Sequence, residues 1–149
     1  MIYRILPLIL FCVFSFKPLN TTENTKNEVK STDPKLIAAN AKATFEAKSK
    51  SFYTVIDANG FSLPTFESFI AAFEGYEQLK QQGKIENEIL TIVDFSLSSS
   101  QERMWVIDMK TQKVILKSLV SHGRNSGSEF ATDFSNASES FKSSLGFYV

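Results

Sequence analysis

The sequence predicts an α+β fold in which N-terminal helices lead into the first strands of a mainly β sandwich. Two observations carry this. Apolar residues recur at helical spacing between Pro64 and Gly83, and after Gly83 the period changes to short runs rich in β-branched residues. A third observation concerns the far end. A polar run, Val120-Ser-His-Gly-Arg-Asn-Ser-Gly127, is followed by the apolar, strand-like Ser143-Ser-Leu-Gly-Phe-Tyr148, and the sequence closes on Val149. An unprotected Leu-Gly-Phe-Tyr-Val edge exposes unpaired backbone groups. The expectation is therefore an apparently truncated domain, the front part of a longer protein.

Residues 1–18 read as a signal peptide or membrane anchor, with Arg4 ahead of an apolar run from Ile5 to Phe16. That run is shorter than the ~20 residues needed to span a bilayer, which favours export. Residues around Ser15-Phe16-Lys17 do not form a small-x-small cleavage site, so retention as an anchor stays open. Cys12, inside the apolar run, follows Phe11 where lipidation needs a small residue, and reads as part of the targeting segment. Residues 19–33 hold Asn, Thr, Glu, Lys and Ser with little apolar content, too little to offset the entropy of ordering, and read as a flexible tether.

Residues 34–83 read as a helical lead-in. Asp33-Pro34 is a helix start, with Asp as cap and Pro in the first turn, ahead of Ile37, Ala41 and Phe45 at a spacing of four. The second helix has Pro64 in its first turn and a face made by Phe66, Phe69, Ile70, Phe73, Tyr76 and Leu79. Such a stripe points to core packing. Gly83 closes it.

Residues 84–149 read as the first half of the β domain. Glu88–Leu97, Arg103–Asp108 and Lys113–Val120 are the expected strands, the last two joined by a hairpin loop over residues 109–112. Apolar residues on both faces suggest strands covered on both sides, as in a sandwich or a sheet roofed by helices.

Formal charge is zero over 149 residues, and removing Arg4 and Lys17 leaves the remainder slightly acidic. No basic face points to nucleic acid, and contact with a membrane is expected only through the N-terminal segment. Cys12 is the only cysteine, so the rest of the chain offers no disulfide, thiolate metal site or cysteine nucleophile. The single histidine, His122, follows a strand without a second ligand or nearby nucleophile, which suggests a hydrogen-bonded histidine at a strand end or a residue on the rim of a groove. Asp57, Asp94, Asp108 and Asp133 lack metal-loop spacing and read as turn and surface carboxylates. No metal and no cofactor are implied.

Arg124, between Gly123 and Gly127, could clamp an anionic or polar ligand through its fork and the backbone amides around it. The Ser- and Asn-rich stretch from Ser121 to Ser144 offers short hydrogen-bonding groups to a peptide or sugar. The candidate substrate-binding residues are His122, Arg124, Asn136, Ser143 and Ser144. No residue is a catalytic candidate, since the serines lack the Gly-x-Ser-x-Gly elbow that exposes a nucleophile.

Taken together, Ile89-Leu-Thr-Ile-Val-Asp-Phe-Ser96, Arg103-Met-Trp-Val-Ile-Asp108, Val120–Gly127, Ala131-Thr-Asp-Phe-Ser-Asn136 and Glu139–Tyr148 resemble the first half of a murein L,D-transpeptidase catalytic domain. The resemblance runs from about Ser62 to Val149. It implies acyl transfer on peptidoglycan stem peptides by a cysteine thiolate, in the periplasm or cell envelope. The family's catalytic histidine and cysteine lie later in its domain, in His-Gly and Ser-x-Gly-Cys segments. By its order in the chain, Ser121-His122-Gly123 matches an earlier structural segment. Two readings follow: a fragment of a cell-envelope L,D-transpeptidase, or a non-enzymatic exported module that binds peptidoglycan or a protein partner.

Overall fold

The computed structural model describes residues 33–149. The expected signal segment and nearly all of the tether lie outside them. Helix α1 spans Pro34–Val55 and begins as its sequence dictates. The Asp33 carboxylate accepts from the Lys35 amide at 2.9 Å, and Pro34 follows, where an absent amide hydrogen costs nothing. Its first turns are exposed, Ile37 by 53%, so the face Ile37-Ala41-Phe45 becomes a packing face only at Phe45.

Helix α2 spans Phe66–Gln81. Its cap is Thr65, whose hydroxyl accepts from the Ser68 amide at 3.2 Å. Pro64 therefore stands just before the helix rather than in its first turn. There it is buried, with its carbonyl accepting from the Tyr53 hydroxyl at 2.6 Å. At the other end Gly83 takes φ +68°, and the Gly83 and Lys84 amides donate to the carbonyls of Lys80 and Leu79, both at 3.0 Å. That is the paired closure a left-handed residue after a helix permits.

Phe45, Phe52 and Tyr53 of α1 lie one or two turns apart on one face and meet the buried Phe69 and Phe73 of α2. Ring centroids are 5.2 Å apart for Phe52–Phe73 and Tyr53–Phe69, and 6.0 Å for Phe45–Phe73. On its other side α2 covers a three-stranded antiparallel sheet of order β1-β2-β3, made by Ile89–Val93, Met104–Asp108 and Lys113–Ser118. Ile92, Trp105, Ile107 and Val114 form one buried core with Phe69, Phe73 and Tyr76. The Trp105 indole N–H donates to the Ser62 carbonyl at 2.8 Å, satisfying its polar atom inside the core. Gly75, a residue that costs a helix about 1 kcal/mol relative to alanine, leaves room for the Phe147 ring, which a Cβ there would strike.

Three expectations need correction. The strand expected over Glu88–Leu97 ends at Val93, because the Asp94 carboxylate accepts from the Ser96 amide at 3.0 Å and turns the chain. The sheet is roofed by helices on one face only. Ile89 and Leu116 remain exposed on the other, and a β-bulge between Val106 and Ile107 interrupts the β2–β3 register. Residues 119–149 hold no strand, only an isolated bridge between Phe134 and Ser143. Their serine and asparagine groups satisfy the backbone locally, and positive φ at Glu139 and Phe141 breaks any ladder.

The hairpin loop after β2 is held as expected for a short polar turn, with the Asp108 carboxylate accepting from the Lys110 amide at 2.9 Å and the Thr111 amide at 3.0 Å. Asp94 ties α2 to β1 by accepting from the Ser68 hydroxyl at 2.6 Å. It is buried, 9% exposed, rather than a surface carboxylate.

Two outcomes follow from this packing. Phe69→Ala removes a fully buried ring touched from two sides, so it should lower stability by about 3–5 kcal/mol, read as a lower urea midpoint. An unchanged midpoint would mean that the aromatic stripe does not carry the core. The second concerns acid. Burial opposes ionisation of Asp94, but hydrogen bonds from Ser68 and Ser96 and the nearby Arg103 charge outweigh it, holding its carboxyl below the ordinary value. A depressed folded value stabilises the fold above the unfolded carboxyl's range, about 3.9, and this contribution is lost as pH falls through the folded value. Asp94→Asn should flatten the acid limb of a midpoint-against-pH curve, and an unaltered limb would contradict the assignment.

Candidate functional site

The polar segment after β3 is organised around a buried arginine. Arg103, fully buried at the start of β2, reaches past the sheet end with all of its planar fork. Its Nη1 donates to the Leu97 carbonyl at 2.7 Å, and Nε and Nη2 donate to the Val120 carbonyl at 3.2 and 3.0 Å. The guanidinium also lies 5.1 Å from the Phe95 ring centroid.

Nη2 comes within 2.8 Å of His122 Nδ1. A guanidinium has no acceptor, so Nδ1 accepts and the ring hydrogen sits on Nε2. Nε2 then donates to the Gly127 carbonyl at 3.2 Å. Both ring nitrogens of His122 are thereby engaged, which fixes the imidazole across the 122–127 loop and leaves neither nitrogen open as a base.

The same loop is laced to residues 141–144. The Gly123 amide donates to the Ser143 hydroxyl at 2.9 Å, and the Ser143 amide donates to the Ser126 hydroxyl at 2.7 Å. The two backbones run so close that a Cβ on Gly123 would sit 2.5 Å from the Phe141 carbonyl oxygen. Ser126 is fully buried, and its carbonyl accepts the amides of Thr132 at 2.8 Å and Asp133 at 3.1 Å. Asn125 adds a side-chain bond to the Ser140 carbonyl at 2.9 Å.

Of the five candidate binding residues, His122 and Ser143 belong to this knot. Ser144 joins it through its hydroxyl, which donates to the Ser135 carbonyl at 3.0 Å, while the Ser135 amide donates to the Ser143 carbonyl at 3.1 Å. Arg124 projects outward with its guanidinium 3.8 Å above the Phe141 ring. This stacking presents the fork at the surface. Asn136 is exposed beside Ser135 and is not part of the network. Lys142 pairs with Asp133 at 2.5 Å on the same side.

Sequence reasoning missed Arg103, read only as a strand residue, and Ser126, whose burial nothing local announced. A charged residue opening the otherwise apolar run Arg103-Met-Trp-Val-Ile was the available signal. It also missed a groove of about 1150 Å³ bounded by α2, β1 and residues 144–149. Among the described residues no three His, Cys, Asp or Glu side chains gather as metal ligands, and no helix is long and apolar enough to cross a membrane. The arrangement displays one guanidinium, that of Arg124, at the surface, while the hydroxyls of Ser126, Ser143 and Ser144 are engaged within the knot.

A family model described as the L,D-transpeptidase catalytic domain matches residues 62–149. No curated protein and no solved structure matches the chain. The family match takes in most of the helix-covered core, the whole sheet and the entire knot from His122 to Ser144, which is more than half of the sequence, and the chain belongs to the L,D-transpeptidase catalytic-domain family.

Proposed function

We propose that this chain supplies the sheet scaffold and part of the groove wall of a cell-envelope L,D-transpeptidase acting on peptidoglycan stem peptides. The observation that carries the reading is the family match across the whole stretch in which the His122–Ser144 loops are laced together. In this reading the export segment around Ile5–Phe16 delivers the protein. Arg124 meets a stem-peptide carboxylate, and the rim hydroxyls and amides of Asn136 and Ser144 hold its backbone. A bidentate arginine is suited to that carboxylate.

Bond making is assigned elsewhere. Residues 33–149 contain no cysteine, and both nitrogens of His122 are engaged. A thiolate and its partner base would therefore be supplied by another segment. The engaged histidine equally favours a second reading, a non-enzymatic exported module that binds peptidoglycan or a protein through the same loops.

The test is titration of the isotope-labelled chain with a stem tetrapeptide, followed by NMR, beside mass spectrometry after exposure to a carbapenem. The expected result is shifts centred on residues 123–127, Asn136 and Ser144, weakened in Arg124→Ala, with no covalent adduct. Absence of shifts at these loops would remove the groove-wall role, and an adduct on any serine between Ser121 and Ser144 would refute the assignment of the chemistry.

A further inference from the structure

Strand β1 is an edge of the sheet. Its even-numbered positions face β2: the Asp94 amide donates to the Arg103 carbonyl, and the Met109 amide donates to the Glu88 carbonyl. By the alternation of an antiparallel ladder, Thr91 and Val93 turn their N–H and C=O groups the other way, into the groove beside α2. Among the described residues no backbone bond reaches those groups.

The opposite wall of this groove is Leu145–Val149. It is apolar, yet Leu145, Phe147, Tyr148 and Val149 are exposed by 55–85%. No backbone hydrogen bond holds it among the described residues. One contact does anchor it: the Phe147 ring lies against α2 at Gly75, the one place on the buried face of that helix where no Cβ intervenes.

We propose that Leu145–Val149 is a strap that closes onto the free edge of β1 as a fourth strand, latched by Phe147 on Gly75. Closure requires Gly146 to move from φ +138° to extended backbone, and the strand period then fixes the geometry. With Phe147 toward α2, Leu145 and Val149 share its side, next to Leu90 and Ile92, whose side chains face the same core. Gly146 and Tyr148 then bring their backbone groups to Thr91 and Val93. Closure fills the groove with apolar side chains and satisfies an edge that otherwise invites pairing with another chain.

Amide hydrogen exchange on the full chain tests this. Thr91 and Val93 should be protected. Phe147→Ala and Gly75→Ala should each cut that protection by about tenfold, equivalent to about 1.4 kcal/mol of lost strap docking. Leu90 and Ile92, bonded to β2, should keep theirs in both variants, which shows that the sheet is intact. Should one variant disturb Leu90 and Ile92, the other decides. Free exchange of Thr91 and Val93 in the parent overturns the proposal, as does protection that survives both substitutions. Protection that rises with protein concentration also overturns it, by assigning the edge to a second copy.

Discussion

Everything beyond the third strand depends on one buried guanidinium. Removing a charge from water is costly unless its hydrogen bonds are replaced. Arg103 replaces them with the carbonyls of Leu97 and Val120, the ring of His122 and the face of Phe95. These partners come from the turn after β1 and the chain leaving β3. A single side chain at the start of β2 thus sets where both neighbours go once the ladder ends. The His122 loop then inherits its position, and through Gly123 and Ser126 so does Ser143.

The helices contribute rigidity rather than chemistry. The stacked rings of Phe45, Phe52, Phe69 and Phe73 press α2 against Ile92, Trp105 and Ile107, and Asp94 fastens the same helix to the end of β1 through Ser68. A loop cluster, Ser121 to Ser144, of which half the residues are serine, asparagine or glycine has little apolar surface to hold itself together. It stays organised because it is tied at one end to a close-packed core.

How much of this was legible in the sequence follows from the range of the forces involved. Helix α2 was plain from its aromatic period, and the β2–β3 hairpin from two β-branched runs around a short polar turn, because local patterning and local turn chemistry decide both. Asp94 ended β1 early through a bond to its own neighbour Ser96, a signal present in the sequence but outweighed by the apolar run before it. Residues 143–149 looked strand-like by composition, yet pairing depends on a partner far away in the chain, and composition does not record one. The roles of Arg103, Ser126 and Gly75 are likewise long-range: each is defined by what folds over it.

Among the site residues, His122 was assigned two possible places, at a strand end or on a groove rim; its ring is hydrogen-bonded through both nitrogens just after β3, and the groove beside α2 is lined without it. The central claim is that Arg103 donates to this ring. Imidazole nitrogen chemical shifts of the full chain at neutral pH measure it directly, because they report which ring nitrogen carries the hydrogen. The account predicts hydrogen on Nε2 with Nδ1 as an acceptor, a pattern that loses its uniqueness in Arg103→Met. Hydrogen on Nδ1 in the parent would contradict it, since Arg103 would then have no acceptor in the ring.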